Sequence, residues 1–224
     1  MKKSLLFFLL IYNSALFSQT LLNSYPLDLK KSEEIHSILN AENSVTHDVF
    51  AFIVNKQNIT ILKYNSALFL TDQYTGPLLN LVDKSIIGYS FSEDGNPTLY
   101  WSSHDFNEIF VIKYNLENKT FKALKFRFPS PNQNVITVFQ KNNLFYILTK
   151  NLLEETLTIY AFNNGRAEEK TFDFSESLFQ NKNTKKTTFN KIIEAFPIEK
   201  IEGEDFNPLF KSAQKSKVYM LDER

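Results

Sequence analysis

Apolar and polar residues alternate at period two in several stretches of the chain, most plainly in Leu124-Lys125-Phe126-Arg127-Phe128. Such alternation sends successive side chains to opposite faces of a β-strand, so one face is buried while Lys125 and Arg127 stand in water. A charged outer face also discourages an edge strand from pairing with other molecules. Beyond about residue 34 the chain reads as a series of short strands rich in β-branched and aromatic residues, separated by Asn, Asp, Gly and Pro.

The series repeats. Ile61-Leu62-Lys63-Tyr64-Asn65, Val111-Ile112-Lys113-Tyr114-Asn115 and Ile159-Tyr160-Ala161-Phe162-Asn163 are three versions of one strand ending in Asn, spaced by 50 and then 48 positions. Each follows another strand, at 49–54, 98–102 and 144–149, and in the second and third copies a further strand comes after, at 121–128 and 170–174. Asn after a strand tolerates the left-handed backbone of a tight turn, which fits a chain with only 5 Gly. A four-strand unit recurring every ~40–50 residues marks a β-propeller blade. The expected fold is therefore all-β: a partial β-propeller of about three four-stranded antiparallel blades at 34–75, 86–128 and 135–175, with a less regular C-terminal segment. An antiparallel sandwich built of similar strands is the alternative.

One stretch carries a family likeness. Phe91-Ser92-Glu93-Asp94-Gly95-Asn96-Pro97-Thr98-Leu99-Tyr100-Trp101-Ser102-Ser103, followed by Glu108-Ile109-Phe110-Val111-Ile112-Lys113-Tyr114-Asn115, resembles the TolB-like, WD-type propeller repeat. That repeat has Phe-Ser-Pro-Asp-Gly in a first hairpin, an apolar strand ending in Ser-Ser, and a strand of Ile-Tyr-Val-Val-Asp type. Asp94-Gly95 would be the structural turn of the hairpin, since Gly accepts positive φ. Of the bulky pair Tyr100 and Trp101, one is expected to pack between neighbouring blades. Glu93 stands where the repeat usually has Pro, and Asn115 where it usually has Asp. The third copy has Gln140-Lys141-Asn142-Asn143 in place of the Asp-Gly turn, and the first copy lacks the motif. The resemblance covers about 30 residues well and about 140 loosely. It implies a fold and an exported or periplasmic setting but no reaction, because propellers host enzymes, receptors and scaffolds alike.

The N-terminus reads as an address. Lys2 and Lys3 precede the apolar run Leu5 to Tyr12, and Ala15-Leu16-Phe17-Ser18 supplies small residues before Gln19. This is the layout of a secretory signal peptide over 1–18, too short to span a bilayer comfortably. A retained N-terminal anchor is the alternative. Cleavage after Ser18 would leave 206 residues, a linker at 19–33, 23 basic groups against 25 acidic ones, and no membrane span. With no Cys in the chain there is no lipid-attachment site and no disulfide, so a soluble exported protein, periplasmic or extracellular, is expected. Asn58-Ile59-Thr60 and Asn118-Lys119-Thr120 fit the N-glycosylation pattern, which matters only in a eukaryotic secretory pathway.

Composition narrows the chemistry. The whole chain balances 25 basic against 25 acidic residues, which argues against a nucleic-acid partner and its need for a basic face. The 22 Phe invite a sugar-stacking reading, yet core packing and an AT-rich codon bias account for most of them. No phosphate-cradling Gly loop, no Gly-x-Ser-x-Gly elbow and no Ca²⁺ loop occurs. His47-Asp48 and His104-Asp105 suggest a metal, but adjacent strand residues point to opposite faces. No catalytic, metal or cofactor-binding residue is assigned and no cofactor is expected. Trp101, His104 and Asp105, at a strand end before an irregular turn, are the candidate ligand contacts.

After Phe174 the pattern changes. Asn181 to Lys186 reads as a solvated polar loop, Asn190 to Phe196 as a short helix or strand stopped by Pro197, and Val218 to Leu221 as the start of a strand. Residues 176–224 are thus an irregular insertion and the start of a further blade. Because an arc of blades exposes apolar faces, an N-terminal fragment of a larger propeller is preferred over a partial propeller capped by its own C-terminal segment. The expected function is an interaction module with a protein or glycan partner rather than an enzyme. The alternatives are an extracellular hydrolase or lyase acting on polymers, and a structural segment of a larger secreted propeller.

Overall fold

A computed structural model of the chain describes residues 35–199, other than 80, 82, 131, 178, 181–185 and 196–197, together with 218–219. The expected signal peptide and linker lie outside the described residues, as does the expected polar loop apart from Lys186.

The protein is all-β, with three four-stranded antiparallel sheets. The first comprises β1 (Ile35–Glu42), β2 (Val49–Asn55), β3 (Asn58–Tyr64) and β4 (Leu70–Pro77), paired in chain order. The second comprises β5 (Ser85–Phe91), β6 (Pro97–Ser102), β7 (Ile109–Asn115) and β8 (Thr120–Phe126). The third comprises β9 (Gln133–Lys141), β10 (Leu144–Asn151), β11 (Thr156–Asn163) and β12 (Arg166–Asp173). Each is the up-and-down meander of a propeller blade. They run over 35–77, 85–126 and 133–173, against the expected 34–75, 86–128 and 135–175.

The residues fall into two compact units. One holds 35–42 and 47–78; the other holds the hairpin tip 43–46 and everything from 79 onward. In the first unit Phe50, Phe52 and Val54 of β2 are buried on one face, and Phe52, Ile61 and Tyr74 form a row across three strands. At one end of the sheet Asn55 Oδ1 accepts from the amides of Gln57 and Asn58 and closes the β2–β3 turn.

In the second unit, the second and third sheets pack face to face. Tyr100, Ile109 and Val111 from one meet Phe145, Ile147, Tyr160 and Phe162 from the other. Tyr100 is the bulky residue between sheets: its ring stacks on Phe145 with centroids 4.6 Å apart and meets Phe162 edge-on at 5.2 Å. Its hydroxyl bonds Ser90 Oγ at 2.8 Å, so the polar tip is satisfied although the residue is fully buried. Aromatic pairs of this kind add ~0.5–1.5 kcal/mol each beyond the area they bury.

Strand alternation then gives the third sheet a second apolar face, bearing Ile136, Leu148, Leu157 and Ile159. A seven-residue helix, α1 (Phe189–Ala195), covers it with Phe189 and Ile193, and the Phe189 ring stacks on Phe174 at 4.6 Å. The expected short element at Asn190 to Phe196 is thus helical over its described part, as far as Ala195. Two further pairs lie nearby in sequence: β13 (Phe179–Gln180) runs antiparallel to β14 (Lys186–Thr187), and β15 (Ile198–Glu199) runs parallel to β16 (Val218–Tyr219). The parallel pairing of 218–219 differs from the antiparallel meander of the three sheets. No helix among the described residues is long and apolar enough to cross a membrane.

The turns work differently from expectation. None of Asn65, Asn115 and Asn163 takes a left-handed backbone. Asn65 and Asn115 act through their side chains: Asn65 Oδ1 accepts from the amides of Ala67 and Phe69, and Asn115 Oδ1 from that of Asn118. Left-handed Asn does occur in the two-residue turns Asn142-Asn143 and Asn164-Gly165, where both central residues have positive φ as a type I′ hairpin requires.

Candidate functional site

The site predicted from sequence is the connection from β6 to β7. Residues 103–107 form a turn wired through one carboxylate. Ser103 Oγ donates to Asp105 Oδ1, Asn107 N donates to the same oxygen, and Asn107 Nδ2 donates to Asp105 Oδ2. The backbone closes behind it, with Phe106 N donating to Ser103 O at 3.2 Å. The Ser103 hydroxyl first, and then the Asn107 amide, hold the Asp105 carboxyl below its ordinary range.

The hairpin at the other end of β6 has the same wiring. Ser92 Oγ donates to Asp94, Asn96 donates to both carboxylate oxygens, and Gly95 N donates to Ser92 O at 2.9 Å. Asp94 and Gly95 thus make the expected turn, with Gly95 at φ 74°. The left-handed position is Gly95 in one turn and Phe106, at φ 55°, in the other. A bulky residue in that region carries ~1–3 kcal/mol of strain. Residue strain of this kind concentrates at functional loops, and here it sits in the turn that projects His104 and Asp105 into solvent.

Trp101 is placed elsewhere. All six residues of β6 are buried, and the Trp101 side chain is 1% exposed. It lies on the opposite face of the sheet from Tyr100, and its Nε1 finds no acceptor among the described residues. The indole therefore does not join His104 and Asp105 at the surface. Strand-end position suggested otherwise because the sequence does not disclose that β6 is an inner strand flanked by β5 and β7.

Five residues that the sequence did not assign to the site lie beside the turn. Glu108, just past it, receives the Arg127 guanidinium on Oε1, and Lys125 Nζ stands 3.5 Å from Oε2. Arg127 is the main reason the Glu108 carboxyl titrates below its usual range. Phe110 follows on the same face of β7, directly opposite Lys125 in register. The ammonium groups of Lys84 and Lys125 each lie 4.8 Å from the centroid of the Phe110 ring. Lys125 and Arg127 were legible as solvent-facing; their convergence with Glu108, Phe110 and Lys84 depends on pairing between β7 and β8, which alternation alone does not give.

His47 and Asp48, the other His-Asp pair, have separate partners: His47 Nδ1 lies 2.9 Å from Glu42, and Asp48 pairs with Lys63 at 3.0 Å. Among the described residues no three His, Asp or Glu side chains gather into a metal-binding group. No protein-family model matches the chain, and no curated protein matches it.

Proposed function

We propose that this is an exported β-propeller-like interaction module that binds a glycan or protein through the loops at one end of its second sheet. The observation that carries the reading is the 103–107 turn. Its carboxylate is fully engaged in holding the loop shut, its backbone is strained at Phe106, and His104 is left exposed beside a charged aromatic cluster. A loop pre-organised in this way binds without first having to be ordered. The likeness to TolB-like, WD-type repeats supports the same reading, as do the three meander sheets. Export rests on the leader-like residues 1–18 and the absence of Cys.

The test is binding of the purified protein to a panel of neutral and acidic glycans, with His104→Ala as the probe because Asp105 also closes the turn. Loss of binding with an unchanged melting temperature supports the module; binding that is indifferent to His104 argues against this surface. Export is tested separately by the mature mass, which should correspond to a chain beginning at Gln19.

A further inference from the structure

Resting on that proposed binding role, we infer that Lys84 and Lys125 form a receptor for the anionic groups of an acidic polysaccharide, with Phe110 as the platform that brings them together. Both ammonium groups are 4.8 Å from one ring centroid, so they are no more than twice that distance apart. The ring's negative face attracts each cation, and the two cations repel each other. Glu108 relieves that repulsion only in part, because its Oε1 is committed to Arg127 and its Oε2 is shared with Lys125 at 3.5 Å. Lys84 makes no ion pair among the described residues, including with the preceding Asp83. An oxyanion within reach of both lysines supplies the missing counter-charge.

The ring itself is not a sugar-stacking surface, since two ammonium groups already stand over it. The recognised chemistry is therefore a carboxylate or sulfate on the sugar. The adjoining turn adds groups that bond sugar hydroxyls: the exposed His104 ring, and the Asn107 carbonyl oxygen, which is left over once its amide nitrogen has bonded Asp105. Lys125 and Arg127 have side chains 58% and 73% exposed, so a chain lying along the end of β8 reaches them without rearrangement of the sheet.

The experiment titrates the full chain with a polyuronate, dextran sulfate, neutral dextran and poly-glutamate, comparing the wild type with Lys84→Gln/Lys125→Gln. The expected result is binding of one or both acidic polysaccharides, weakened by salt and reduced at least about tenfold in the double variant, with no change in melting temperature. Selective binding of the polyuronate names carboxylate as the anion, and selective binding of dextran sulfate names sulfate. If the double variant melts early, Lys84→Arg/Lys125→Arg, which keeps both charges, must bind as the wild type does. Five outcomes overturn the inference: no binding of either acidic polysaccharide, unaltered affinity in the Gln variant, lost affinity in the Arg variant, equal binding of neutral dextran, or binding of poly-glutamate alone. Neutral-glycan binding that depends on His104 would leave the interaction module standing while removing its acidic specificity.

Discussion

Asn43 and Asn143 stand a hundred residues apart in the chain and join two hairpin tips: Asn143 Nδ2 donates to Asn43 Oδ1 at 2.8 Å, and Ser44 N donates to Asn143 Oδ1 at 2.7 Å. Asn43 Oδ1 also accepts from Val45 N and Thr46 N, which fixes its own turn. Asn43 is 1% exposed and its Oδ1 accepts all three of these bonds, so its removal deletes them together. Asn143 has φ 63°, and its carbonyl accepts from Phe91 N at 3.0 Å, which brings in a third hairpin, β5–β6.

Asn43→Ala should therefore destabilise the protein by about 1–3 kcal/mol in urea unfolding. Asn143→Gly keeps the left-handed backbone and deletes only the amide, so it isolates the side-chain bonds. In a double-mutant cycle the two changes should couple by ~0.5–3 kcal/mol. Additive effects would mean that the tips are held by something other than this pair.

Gly88 is a close-approach glycine. It is buried opposite Tyr100 in the β5–β6 ladder, and a methyl group there would overlap the fully buried Phe145 ring. Gly88→Ala should lower stability by ~1–3 kcal/mol through overpacking of the interface between the second and third sheets. Combining it with Phe145→Leu should recover part of the loss. A Gly88→Ala protein as stable as the wild type would show that the two sheets separate readily.

Tyr100 predicts an alkaline transition. Burial pushes its phenol from 10.0 up to about 12, against weaker opposing effects of Ser90 and the Gly165 amide. The folded state thus favours the neutral phenol, so this contribution is whole below pH ~10 and fades as pH rises toward ~12. Tyr100→Phe should flatten the fall in stability over that window. At neutral pH it should cost about 1–2 kcal/mol, because the buried Ser90 hydroxyl loses its partner. Urea melts from pH 8 to 12 read both effects.

The helix α1 should behave as a cover for the third sheet. Phe189→Ala removes a ring stacked on Phe174 and packed against Leu148, and should destabilise by ~3–5 kcal/mol. Phe189→Asp should also expose the face bearing Ile136, Leu157 and Ile159, and drive concentration-dependent association in sedimentation. A monomeric Phe189→Asp protein of normal stability would contradict the cover.

Much of the sheet architecture was legible because strand alternation and hairpin chemistry are local. Leu124 to Phe128 marked an edge strand, and the structure has Phe126 and Phe128 packed against the inter-sheet core while Lys125 and Arg127 face out. The Asp94-Gly95 turn was readable from two residues. The 103–107 turn was equally local, since Ser, Asp and Asn recur at the same spacing as in 92–96, but with Phe106 at the left-handed position the pattern lacked its usual Gly. Trp101 and the Lys84–Phe110–Lys125 group were not readable. Which strand is inner, and which residues face one another across a ladder, are set by pairing between distant segments.

The most direct measurement is an amide chemical-shift map of the ¹⁵N-labelled protein during titration with a polyuronate. The shifts should gather at 103–110, at Lys84 and at 125–127, and should vanish in the Lys84→Gln/Lys125→Gln protein. Shifts confined to the opposite end of the second and third sheets, around Asp94 and Asn143, or no shifts with any acidic or neutral glycan, would contradict the account.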